Sequence, residues 1–165
     1  MKPGMMCWIV VVLLLSFSLC AAQDKRPSCV LLEGIDLKSL LGEDHDAPVP
    51  FGEESCRAES KAPGRMVILM ATEKPREELK NWLAATREMS MKELGNEVTV
   101  ASEPALGTEA FSVSEKGERR EVEIYAMKGT RAIVVQSSWA IGGPVTDNDF
   151  ELLRQVAQSV LAKLP

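Results

Sequence analysis

Cysteines supply the clearest chemistry in this sequence. Of the four cysteines, Cys7 and Cys20 lie in an apolar N-terminal block, whereas Cys29 and Cys56 lie in more polar surroundings. The latter two thiols could form a disulfide, or they could bind a metal ion together with His45 and an acid. Structural zinc sites usually contain close cysteine pairs such as C-x-x-C, and this sequence has none. The same absence argues against disulfide-exchange chemistry. We therefore predict a disulfide between Cys29 and Cys56 and no metal site.

The single histidine lies in an acidic cluster. His45 is flanked by Glu43, Asp44 and Asp46, a group that could support acid–base catalysis. Its spacing differs from the Asp-x-Asp-x-Asp-Gly pattern of an oxygen-lined cation loop. The sequence also lacks the G-x-S-x-G and S-x-x-K motifs of serine hydrolases. We therefore predict no catalytic residues and no cofactor, and a hydrolase-like enzyme built on this cluster is the alternative.

One tryptophan is a candidate for binding a partner. Trp139 ends a predicted strand, just before the turn Ile141-Gly142-Gly143-Pro144. An exposed aromatic side chain at this place would anchor a partner protein. A buried one would pack against the last helix instead, and the sequence leaves both interpretations open.

The N-terminal apolar block predicts export. Lys2 precedes an apolar run over residues 5–15, and small residues follow up to Ala22. These are the parts of a secretory signal peptide, and we predict cleavage after Ala22. A retained anchor is less favoured, because a membrane span needs about 20 apolar residues. Lipidation at Cys20 is a further alternative, and either alternative would attach the protein to a membrane.

Export has consequences for charge and redox state. We expect a periplasmic or extracellular protein, where a pair of cysteines is normally oxidised. The whole chain has 165 residues and a net charge of −5, and Lys2 is the only charged residue of the predicted signal peptide. An acidic protein lacks the basic face that nucleic-acid binding requires. The partner is therefore expected to be a protein or a small ligand.

The hydrophobic pattern alternates between helices and strands. We predict a short helix ending at Gly42, a long helix over 72–95 and a last helix beginning at 146–149. Residues 43–52 have the acids, prolines and glycine of a loop. The continuous apolar run Met66 to Met70 predicts a strand buried on both faces. Six strands are predicted in all, at 54–60, 65–71, 97–101, 110–114, 120–127 and 130–139.

These elements predict one α+β domain. A signal peptide over 1–22 and a mobile polar leader over 23–28 precede a single domain over 29–165. In that domain, a single antiparallel sheet of about six strands packs against two long helices, with one short N-terminal helix beside them.

Four short segments carry a resemblance to a known family. Pro27-Ser28-Cys29-Val30-Leu31-Leu32 matches an opening Pro-x-Cys-x-Leu-Leu, and Leu40-Leu41-Gly42 matches the end of a short helix. Cys56 takes the place of a second cysteine, and Leu106-Gly107-Thr108-Glu109-Ala110 matches a Leu-Gly-x-x-Ala turn. In this order the segments resemble a family of secreted bacterial lipoproteins of unknown function. The resemblance implies a PsbP-like fold, an antiparallel sheet flanked by helices, and it implies no catalytic residues.

The sequence thus predicts an exported, non-enzymatic domain that binds a protein partner or a small ligand. The alternatives are the hydrolase-like enzyme around His45 and an envelope-anchored structural protein that keeps its N-terminal segment.

Overall fold

The computed structural model describes residues 27–61, 64–93, 97–115, 121–139 and 145–165. The predicted signal peptide and residues 23–26 of the leader lie outside this part of the chain. The helices are α1 (Pro27–Leu32), α2 (Lys38–Leu41), α3 (Arg76–Glu93) and α4 (Asp147–Lys163), with a 3-10 turn at Pro104–Leu106. The strands are β1 (Val49–Phe51), β2 (Ser55–Glu59), β3 (Arg65–Glu73), β4 (Val98–Ser102), β5 (Phe111–Glu115), β6 (Glu121–Lys128) and β7 (Arg131–Trp139).

The strands form a single antiparallel sheet in the order β1-β2-β3-β7-β6-β5-β4. The chain builds one meander from β1 to β3, crosses over through α3, and builds a second meander from β4 to β7. The longest pairing joins the two meanders, from Arg65 opposite Trp139 to Glu73 opposite Arg131. This confirms the α+β class and the single antiparallel sheet.

In the described part of the chain the sheet has seven strands, not the predicted six. The additional strand is β1, which lies inside the stretch 43–52 that was predicted as a loop. All three of its side chains are exposed, so it has no alternation of apolar and polar residues to reveal it. Pro50 also lowers the strand propensity. Pairing with β2 creates this strand, and that tertiary contact is not visible in the sequence.

The predicted short helix is two helices. α1 and α2 are separated at Gly34, whose φ of 71° lies in the left-handed region that glycine tolerates best. Gly42 follows α2 with φ 91°, in agreement with the predicted helix end. Ser28, assigned by the sequence to the mobile leader, belongs to α1 and is buried.

One face of the sheet, called here the inner face, carries the main core. α1, α2 and α4 cover it with leucines, valines and Cys29. The strands contribute every second side chain, namely Cys56, Ala58, Val67, Leu69, Val122, Ile124, Ala126, Ile133 and Val135. α4 begins with the predicted cap: Asp149 N donates to Thr146 Oγ1, and Thr146 N donates to Asp149 Oδ2.

The opposite face, called the outer face, is covered only in part. α3 lies over the β4–β6 side, where Leu83, Phe111 and Val113 form a second buried cluster. On β3 the outer side chains are less covered, and Met70 is 36% exposed. The prediction that β3 is buried on both faces is therefore correct for the inner face only. In the described part of the chain, no helix combines the length and apolar character needed to span a membrane.

Candidate functional site

Cys29 and Cys56 form the predicted disulfide. The sulfur atoms are 2.08 Å apart and the Cα atoms 5.0 Å apart. The bond joins α1 to the inner face of β2, and both cysteines are buried in the main core. The bond therefore fastens the N-terminal helix to the sheet and has a structural role.

The side chains around His45 bond to partners outside the acidic cluster. The imidazole Nδ1 lies 2.9 Å from the carbonyl oxygen of Gly42. Its neighbours Glu43 and Asp44 pair with Lys38 at 3.1 Å and Lys61 at 2.7 Å. Among the residues that the structure describes, no group of three or more histidine, cysteine or acidic side chains is placed to hold a metal ion.

Trp139 ends β7, where its backbone lies opposite Arg65. Its side chain, and the turn Ile141-Gly142-Gly143-Pro144 that follows, lie outside the described residues. Its role in partner binding stays a prediction.

Among the residues that the structure describes, the best candidate for a binding site is a cavity between α3 and the outer face of the sheet. It has a volume of about 290 Å³. The sheet side of the cavity is lined by Met70 and Thr72 of β3 and by Ala132 and Val134 of β7. The helix side is lined by Leu79 and Trp82 of α3, and the lining is completed by Glu54 and Lys74. The wall is mainly apolar, and a volume near 300 Å³ is at the small end of the range for ligand pockets.

The cavity follows directly from how α3 sits on the sheet. The helix is anchored over β4 to β6, so its first turns extend over β3 and β7 without filling the space beneath them. The sheet residues there are short or flexible, as with Ala132 and Met70. A cavity lined by such side chains can hold an apolar group without leaving buried polar atoms unpaired.

Two further aromatic rings, those of Tyr125 and Phe111, support the Trp82 wall. The Trp82 ring is tilted against that of Tyr125, with centroids 6.2 Å apart, and Tyr125 stacks on Phe111 at 4.7 Å. The Tyr125 hydroxyl donates to Glu123 Oε2 at 2.6 Å. Burial, the largest cause, and the neighbouring Glu123 carboxylate both raise the pKa of Tyr125. The raised pKa is consistent with a hydroxyl that donates to Glu123, and the ring contacts fix the position of the Trp82 wall.

The charged groups at the cavity carry a small excess of negative charge. Lys74 and Glu54 are both exposed. Lys74 Nζ donates to Glu78 Oε1 at 2.6 Å, and this hydrogen bond is the main cause that raises the pKa of Lys74. The charge of Glu54 also acts on Lys74, and together Lys74, Glu78 and Glu54 carry one net negative charge. The local balance favours a ligand with a positive charge next to its apolar part.

Glu121, also on the outer face, is a partly buried carboxylate with an elevated pKa. Desolvation is the largest cause, and the charge of Glu123 adds to it, while the hydrogen bond from Gln136 acts in the opposite direction. Because the pKa is higher in the folded than in the unfolded state, the folded protein binds the proton more tightly. The stabilisation that Glu121 contributes is therefore fully present at a pH below its unfolded pKa. It is lost as the pH rises from the unfolded pKa through the folded pKa.

The variant Glu121→Gln tests this linkage. We expect it to raise the free energy of unfolding at pH 7 by a few tenths to about 1 kcal/mol, because it removes the charge and can still accept from Gln136. At a pH below the unfolded pKa, the variant and the wild type should be equally stable. Urea denaturation at both pH values measures the difference. A variant that is less stable than the wild type at pH 7 would contradict the assignment.

Sequence reasoning missed the cavity. Its lining combines β3, β7 and the first turns of α3, and no motif links these segments. The only signal is the continuous apolar run Met66 to Met70, which predicts a strand with both faces buried. The exposed Met70 shows that the run instead supplies part of an open apolar surface.

Comparisons with protein-family models, with curated proteins and with solved structures found no match for this chain.

Proposed function

We propose that this chain is an exported, non-enzymatic domain that binds a small ligand in the cavity beneath α3. The observation that carries the proposal is the apolar cavity of about 290 Å³, beside which Lys74, Glu78 and Glu54 together carry one net negative charge. The disulfide supports export, because such bonds persist in oxidising compartments. A PsbP-like arrangement of the antiparallel sheet and its flanking helices is part of the proposal.

The size and lining of the cavity define the ligand class. An apolar cavity of about 150 Å³ is large enough for benzene, so this one fits a single ring or a short alkyl chain. The charge of Glu54 selects a cationic group at the open side. We therefore expect a small apolar cation, such as an alkyl- or arylammonium group, and expect anions of the same size to bind more weakly.

Hexylammonium and hexanoate are the matched probes, since they share an alkyl chain and differ in the sign of charge. Saturation-transfer NMR should show binding of hexylammonium with a dissociation constant between about 10 µM and about 1 mM, as is usual for ligands of this size. Hexanoate should bind at least about tenfold more weakly, the effect of one favourable charge contact in a partly desolvated site.

The variant Met70→Trp locates the binding. The larger ring should fill the cavity and weaken hexylammonium binding at least about tenfold. Met89→Trp is the matched control, because Met89 lies on α3, does not line the cavity and is 52% exposed. It should bind like the wild type. Equal affinities of the two variants, or no binding of either probe to the wild type, would overturn the proposed function.

A further inference from the structure

The two edges of the sheet differ in how well they are protected. β1 at one edge has only three residues, one of them Pro50, which cannot donate a hydrogen bond to an added strand. β4 at the other edge has five residues, Val98-Thr99-Val100-Ala101-Ser102, with no proline and no charged side chain. Proteins usually block such an edge with charges, prolines or a bulge, and the β4 edge carries none of these.

The register shows which backbone groups of β4 face away from the sheet. Glu103 N donates to the Ala110 carbonyl oxygen at 2.9 Å, in continuation of the β4–β5 register in which Ser102 lies opposite Phe111. In an antiparallel pair, hydrogen-bonded residues alternate with residues that are not bonded to the partner strand. Thr99 and Ala101 therefore bond to β5, while the N–H and C=O groups of Val98, Val100 and Ser102 point to the open edge.

We propose that a second copy of this chain pairs with β4 through that edge, antiparallel and centred on Val100. In this register Val98 lies opposite Ser102 of the second copy, and Val100 lies opposite its own equivalent. The outward N–H and C=O groups of all three residues are then paired. The two sheets become one continuous sheet related by a two-fold axis, the commonest symmetry of homodimers.

The side chains of β4 are self-complementary in this register. Thr99, which is exposed, meets the exposed Ala101 of the second copy on the inner face. Within Val98–Ser102 no charged residue meets another. The flanking Glu97 lies opposite Glu103 of the second copy, but the Glu103 carboxylate is buried and already paired with Arg154. An unrelated extended peptide would gain the same backbone bonds, but a second copy also brings the neighbouring helix with it.

The helix α3 supplies further apolar surface at this edge. Arg87 Nη2 donates to Ser102 Oγ at 2.9 Å, so this side of α3 faces β4. Met91 follows Arg87 by one helical turn on the same side of the helix, yet it is 51% exposed. The two-fold axis is perpendicular to the joined sheet and places both α3 helices on the same side, where the exposed methionines flank the junction.

A charge-swap experiment tests both the dimer and its register. Sedimentation of the purified chain from about 1 to about 500 µM should show a monomer–dimer equilibrium. The double variants Thr99→Lys/Ala101→Lys and Thr99→Glu/Ala101→Glu each place like charges opposite one another. Each should weaken self-association at least about tenfold, and an equimolar mixture of the two should form the heterodimer.

The control variant carries the same change in charge as the double-lysine variant, but on α4. Gln155 and Gln158 are exposed on α4, away from the β4 edge, and Gln155→Lys/Gln158→Lys should dimerise like the wild type. A wild type that stays monomeric at all concentrations would overturn the proposal, as would charged variants that dimerise normally. Failure of the mixture to restore the dimer would overturn the register.

Hydrogen exchange of the wild type gives a test that needs no variant. Raising the protein concentration should slow exchange at the amides of Val98, Val100 and Ser102. The amides of Thr99 and Ala101 already bond to β5 and should change little, so they serve as the internal control. Equal behaviour of the two sets would contradict pairing at this edge.

Discussion

Loss of the Cys29–Cys56 disulfide is expected to lower the free energy of unfolding by about 3–4 kcal/mol. The two cysteines are 27 residues apart in sequence, and the chain-entropy model assigns this magnitude to a loop of that length. Cys29 of α1 and Cys56 of β2 are both buried in the main core. Reduction of the bond therefore also releases α1 from β2. For a domain whose total stability is about 5–15 kcal/mol, this is a large fraction.

Urea denaturation with and without a reductant measures the effect, and Cys29→Ala/Cys56→Ala provides the comparison. Reductant should lower the unfolding midpoint of the wild type and leave the double variant unchanged. This control also excludes any contribution of Cys7 or Cys20. A wild-type midpoint that is the same in both conditions would show that the bond does not stabilise the fold.

Removal of Arg154 is expected to cost about 3 kcal/mol, since its buried partner would stay charged without a counter-ion. The guanidinium group of Arg154 holds Glu103 with two hydrogen bonds, of 2.8 Å from Nε and 3.1 Å from Nη2. Glu103 has only 5% of its side chain exposed and accepts one further hydrogen bond, from Ser112. The pair fastens α4 to the segment between β4 and β5.

Arg131→Ala is the matched control for Arg154→Ala. Arg131 pairs with Glu73 at 3.0 Å, but both side chains are substantially exposed, so this change should cost less than about 1 kcal/mol. Adding Glu103→Gln to Arg154→Ala should recover part of the loss, because the buried charge is then removed. Equal losses for the two arginine variants in urea denaturation would contradict the importance of the buried pair.

Local patterns explain which elements were predictable. In β6 the buried residues Val122, Ile124 and Ala126 alternate with less buried ones, and this period of two is visible in any strand with one buried face. The start of α4 was equally clear, since Thr146 and Asp149 form a capping box within four consecutive residues. In both cases the interacting groups are close in sequence.

Features that depend on distant contacts were not predictable. β1 exists because it pairs with β2, although its own residues carry no strand pattern. Glu103 and Arg154 are 51 residues apart, so no local pattern predicts that they pair. The cavity likewise needs the position of α3 over the sheet, and that position is decided by packing against β4 to β6.

The sequence by itself determined the α+β class, the antiparallel sheet and the pairing of Cys29 with Cys56, because these depend on hydrophobic period and on residue type. Only the tertiary structure decided which face of β3 stays open, where α3 leaves a cavity and which strands form the edges. Those properties depend on how separate elements pack together, and the free energy of packing is shared among residues that are far apart in the chain.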